Sequence, residues 1–112
     1  MRPILPETNL EKGAKAAIES FHADVVREIE SAVTAHEWVI VGMRQNPVVA
    51  KARRLMDDKK MKFHYIEHGS YFSGWKPRLA IKMWSGWPTF PQIFHKGRLV
   101  GGAADLQVYL GG

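Results

Sequence analysis

Cysteine is absent from all 112 residues. That absence excludes disulfide bonds, zinc–thiolate sites, iron–sulfur clusters held by the chain's own thiolates, and any protein thiol nucleophile. No apolar run reaches the length of about 18 residues that a membrane-spanning helix needs. Met1-Arg2-Pro3-Ile4-Leu5-Pro6-Glu7 lacks the apolar centre of a secretory leader, so the expected location is cytoplasmic. Acidic residues are the minority, 11 against 16 Lys and Arg, which leaves a formal net charge of +5 and a sequence pI near 9.7. Such an excess favours acidic ligands without naming one. Internal repeats and low-complexity tracts are also missing.

Enough is present for one hydrophobic core: 46% hydrophobic and 24% charged residues describe a single ordinary domain. The chain is organised around Trp87-Pro88-Thr89-Phe90-Pro91-Gln92-Ile93-Phe94. Two prolines so close exclude a helix or a central strand, and each holds the residue before it extended. The apolar pair Ile93-Phe94, the turn His95-Lys96-Gly97 and the run Arg98-Leu99-Val100 then predict a hairpin. A bend of this kind exposes extended backbone that can pair with a peptide-like ligand.

Upstream, Thr8 and Glu11 fit a capping box, and a helical segment is expected to about His36. Ile18, Phe21, Val25, Ile29 and Val33 share one face of it. A break near His22-Ala23-Asp24 would make Asp24 the cap of a second helix. Trp38-Val39-Ile40-Val41 reads as a strand buried on both faces. Asn46 and Pro47 fit the cap and first position of a helix to about Lys60, with Val49, Ala52, Leu55 and Met56 inward. Phe63 to Ile66 is a second strand, and Trp75 to Trp84 a short helix. The first strand, its helix and the second strand form a right-handed parallel unit, and the hairpin completes the sheet. Residues 1–20 are expected to be a partly helical extension, and 21–112 the domain.

Other residue patterns have plainer readings. Lys51, Arg53, Arg54, Lys59, Lys60 and Lys62 are interrupted by Asp57 and Asp58 and lack interleaved aromatics, so a solvated helix face is expected and no nucleic acid. His64 and His68 lie on a strand running into a loop, where a spacing of four does not converge on a metal. His22, His36 and His95 are scattered. The Ile18–Ile29 stripe packs on the sheet, or extends into a homodimer seam.

Trp87-Pro88-Thr89-Phe90-Pro91-Gln92 followed by Gly101-Gly102 resembles the second half of a glutaredoxin, within the thioredoxin fold, and the string is similar to that of the monothiol branch. Val39-Ile40-Val41-Gly42 is similar to the family's first strand. The resemblance covers roughly residues 25–110. It implies an α/β fold with a four-stranded mixed sheet flanked by helices, and a cis bond before Pro91. It also implies glutathione as ligand. Thr89, Phe90 and Pro91 form the bend, and the Phe90 backbone pairs with the ligand's cysteinyl unit. The γ-glutamyl carboxylate lies at Gly102, Ala103 and Ala104, and the glycyl carboxylate meets Arg78 and a basic residue near Met43 and Arg44.

The departures from the family concern its chemistry. Asn46 stands at the position of the redox cysteine, and Val49 at that of its partner. A carboxamide replaces neither the attacking thiolate nor a ligand of an iron–sulfur cluster shared between protomers. The loop before Asn46 is short, as in the dithiol branch. Ala104 replaces an acidic or serine residue, with Asp105 one position later. The expectation is a redox-inactive module that keeps a groove for glutathione or a peptide-like anionic ligand. Two alternatives stand beside it: chemistry run by the thiol of bound glutathione, and a structural or dimerisation domain.

Overall fold

The computed structural model describes residues 21–70 and 73–111. The expected N-terminal helical extension, with its Thr8–Glu11 box and the Ile18 end of the apolar stripe, lies outside the described residues.

Helix α1 spans Ala23–Ala35 and is capped by His22, which adopts a left-handed conformation (φ 48°, ψ 42°). The helix thus begins beside the expected His22-Ala23-Asp24 position, but Asp24 is not the cap. It sits in the first turn, where the positive end of the helix dipole favours a carboxylate. Strand β1, Trp38–Gly42, is buried at all five positions, as a continuous apolar run requires. Helix α2, Pro47–Asp58, starts at the expected Asn46–Pro47 pair. Strand β2 is His64–Glu67, helix α3 Trp75–Ser85, strand β3 Gln92–His95, strand β4 Arg98–Gly101 and helix α4 Ala103–Tyr109. Lys96 and Gly97 both have positive φ (50° and 82°), the two-residue turn that suits the twist of a tight hairpin.

The sheet order is β2-β1-β3-β4. Strands β1 and β2 are parallel, with Ile40 opposite Tyr65 and Gly42 opposite Glu67. Strand β3 runs antiparallel to β1 and to β4. Because side chains alternate along β1, its two faces feed two cores. Val39 and Val41 pack with Val25, Ile29 and Val33 of α1, Ile81 of α3 and Phe94. Trp38 and Ile40 pack with Ala52 and Met56 of α2, Ile93, and Leu106 of α4. Val25 and Ile29 are thus spent against the sheet and are not free for a dimer seam. The large apolar side chains left in solvent include Trp75, Leu79 and Met83 of α3.

This topology places four chain ends together. The C-terminal ends of β1, β2 and β4 and the N-terminal end of β3 lie at one edge of the sheet. The opposite edge is tied by Glu37, His95 and Tyr109. His95 Nε2 pairs with Glu37 Oε2 at 3.0 Å and its Nδ1 with the Tyr109 hydroxyl at 2.8 Å, while Trp38 stacks on its ring at 4.0 Å.

Candidate functional site

Three segments converge at the first of these edges: the start of α2, the bend before β3, and the start of α4. Each is fixed by its own local chemistry. Asn46 Oδ1 accepts the backbone N–H of Val48 at 2.9 Å and of Val49 at 3.1 Å, the work of an N-cap. Gly42 makes room beside it, since a Cβ there would lie 2.6 Å from Val49 Cγ1 and 3.1 Å from the Tyr65 hydroxyl.

In the bend, the Phe90–Pro91 peptide bond is cis. Pro91 and the Phe90 side chain are buried, while Thr89 is exposed. Gln92 is wholly buried and donates through Nε2 to the Trp87 carbonyl at 3.1 Å, which ties the two ends of the bend together. Trp87 Nε1 and Gln92 Oε1 are buried with no partner among the described residues. The Phe90 main-chain N–H and C=O also make no hydrogen bond among the described residues. A stretch of backbone with its donor and acceptor unpaired is a template for another strand or peptide unit.

At α4, the Gly102 N–H donates to Asp105 Oδ2 at 2.9 Å. Gly101 must be glycine: its φ is 125°, and a Cβ would lie 2.8 Å from the Asp105 carboxylate carbon. Ala103 is buried and Ala104 exposed.

The basic residues separate. Arg44 is exposed, and its backbone N–H donates to the Gly69 carbonyl at 2.8 Å. Arg78 is 8% exposed, and its Nη1 donates to the carbonyls of Ser73 at 2.7 Å and His68 at 3.1 Å. The guanidinium that the resemblance assigns to a carboxylate thus has its Nη1 engaged by the His68 and Ser73 carbonyls.

A group that the sequence reading missed flanks Asn46. A depression of about 260 Å³ is lined by Asn46, Gln45, Arg53, Tyr65 and Glu67 among others. Arg53 lies over the Tyr65 ring, 3.9 Å from its centroid, and the Tyr65 hydroxyl donates to Glu67 Oε1 at 2.9 Å. The signal was available: Tyr65 and Glu67 are two apart on a strand and so share a face. Burial, and then the bond to Glu67, push the Tyr65 phenol from its usual 10 up to about 12. Its neutral form is therefore favoured by folding. That contribution to stability is complete below pH 10 and is lost as pH rises through about 12. Alkaline titration of tyrosine absorbance is expected to show one late phenol that Tyr65→Phe removes. An unchanged titration curve in the variant would refute this.

Among the described residues, no group of three or more His, Cys, Asp or Glu could hold a metal ion, and no helix is long and apolar enough to cross a membrane. The site does not fit iron–sulfur ligation either. Asn46 Oδ1 is occupied by two amides, and an amide nitrogen offers the metal no free lone pair.

A family model described as Glutaredoxin matches residues 39–100. A glutaredoxin-like protein of Dictyostelium discoideum is 46% identical over 88 residues, covering 79% of this chain and 72% of that protein. Monothiol glutaredoxin-S17 of Arabidopsis thaliana is 29% identical over 111 residues, 90% of this chain, but the chain spans only 22% of its length. Among solved structures, a mutated buckwheat glutaredoxin superposes with a TM-score of 0.72 at 18% identity, over 82% of this chain and 84% of that one. A buckwheat glutaredoxin–glutathione complex gives 0.70 at 17% identity, with the same coverage. The shared fold is the thioredoxin fold, with its four-stranded mixed sheet.

Proposed function

This chain belongs to the glutaredoxin family, and from that premise we propose that it is a binding module for glutathione or a similar anionic peptide, without thiol chemistry of its own. The observation that carries the reading is the unpaired main chain of Phe90 beside Pro91. It offers one donor and one acceptor to the peptide backbone of a bound tripeptide. The likeness to a glutaredoxin whose structure is a glutathione complex supports the ligand class. Glutathione carries two carboxylates, which suits the chain's net charge of +5. In this reading one carboxylate lies at the Gly102–Ala104 turn and the other toward Arg44. Arg78 holds the loop that pairs with Arg44. A cytoplasmic location, where reduced glutathione is held, belongs to the same reading.

The test is titration with reduced and oxidised glutathione, followed by amide shifts. Saturable shifts at Phe90 and Ala103 are expected at millimolar ligand. The absence of shifts at both residues would overturn the reading.

A further inference from the structure

We propose that the outer face of the α1–α3 layer is a docking surface for a second copy of this chain, joined about a twofold axis at the cleft between these two helices.

Trp75, Leu79 and Met83 are 61%, 41% and 39% exposed. They lie four residues apart along α3 and so form one apolar ridge. The core takes Arg78, Ala80 and Ile81 from the other side of the same helix. Apolar side chains scattered singly over a surface need no partner, but a continuous ridge anchored by a tryptophan is the kind of feature that interfaces bury. The ridge runs into a concavity. Met83 also lines, with Ala80 and Trp84, a cleft of about 350 Å³ whose other wall carries Val26, Arg27 and Glu30 of α1. A ridge beside a cleft is a shape that two copies can exchange, each ridge covering the cleft of the other. A flat lipid surface would rest on the ridge and leave the cleft unfilled.

Charge decides how the two copies meet. Helix α3 holds Lys76, Arg78 and Lys82 and no acidic residue. Arg78 is engaged by the His68 and Ser73 carbonyls, which leaves the two lysines. Laying α3 on the α3 of a second copy would set these like charges against each other. Helix α1 has the opposite balance, Asp24, Glu28 and Glu30 against Arg27. Glu28 is engaged by His68 at 2.9 Å, which leaves Asp24 and Glu30. A twofold axis at the cleft lays α3 of each copy over α1 of the other, and so opposes basic to acidic twice. Lys76 stands one turn before Ala80 on the cleft side, and Glu30 lines the cleft. Neither has an oppositely charged partner among the described residues. Lys76 of one copy and Glu30 of the other are the pair that this axis brings together.

Sedimentation equilibrium of the full chain tests this. Between about 5 and 500 μM, the average mass is expected to rise from 12.7 kDa toward twice that value. Lys76→Glu and Glu30→Lys are each expected to weaken association at least about tenfold, because each change counts twice in a symmetric dimer. The double reversal is expected to restore association to within about threefold. Leu79→Gln, at an exposed position, is expected to weaken association about tenfold while thermal unfolding of the monomer is unchanged. The mass of a single chain at every concentration would overturn the proposal and leave the ridge to residues 1–20 of the same chain or to an acidic helix of another protein. Dimers indifferent to all three single changes, or a double reversal no better than the single ones, would overturn it as well.

Discussion

Asn46→Cys is expected to raise turnover in a glutathione-coupled disulfide reduction assay by at least about a hundredfold, from a starting chain that does not exceed buffer. Every part of this expectation is local. The two amides of Val48 and Val49, now spent on Oδ1, would point at a sulfur instead. Amide donors and the positive end of a helix stabilise a thiolate and lower its pKa below that of a free thiol. The thiolate would attack the glutathionyl sulfur of a protein–glutathione mixed disulfide, form a disulfide with it and release the substrate protein's thiol. A reduced glutathione would then attack that glutathionyl sulfur, leaving as oxidised glutathione and expelling the thiolate at position 46. No partner thiol is needed, which matters because Val49 supplies none. Turnover that stays within about threefold of the starting chain would show that the bend no longer places a glutathionyl sulfur in line with position 46.

Arg78→Ala is expected to lower folding stability by about 2–4 kcal/mol, read from urea unfolding. Two part-buried carbonyl contacts, those of Ser73 and His68, would lose their shared charged donor. Each unsatisfied acceptor costs about 1–3 kcal/mol, with partial relief from water entering the loop. The Arg78 stem also fills space that alanine leaves open. The fit is close, since a Cβ on Gly69 would lie 2.6 Å from Nη1. Arg78→Lys, with a single ammonium in place of the planar fork, is expected to fall between the two. A loss below about 0.5 kcal/mol in Arg78→Ala would show that the loop does not depend on this side chain.

Arg78 also marks where reading the sequence reaches its limit. The two-proline bend, the buried run from Trp38 to Val41 and the Asn46–Pro47 helix start are local signals, and each gave its element within a residue or two. The resemblance identified which segments meet at one sheet edge. What neither carried was the fate of individual charges. An arginine in an amphipathic helix reads as solvated or as ligand-facing. Only the folded positions of His68 and Ser73 show their carbonyls closing on Arg78. The same holds for Arg53, whose place over Tyr65 depends on the crossing of α2 over β2. It holds again for Glu37 and His95, which are 58 residues apart in the chain. At His22 the miss was smaller. Asp24 has the side chain of a cap, but the left-handed turn at His22 begins the helix two residues earlier.

The cap at Asn46 also has a consequence for the balance between reactivity and rigidity. Removing a good N-cap side chain costs a helix about 0.5–2 kcal/mol. A cysteine at this position would surrender part of that in exchange for a nucleophile. In the present chain the first turn of α2 is instead fastened by Oδ1 of Asn46, a side chain that carries no nucleophile. A nucleophile at position 46 would take the place of the atom that fastens the turn, so gaining reactivity there and loosening that turn should be inseparable.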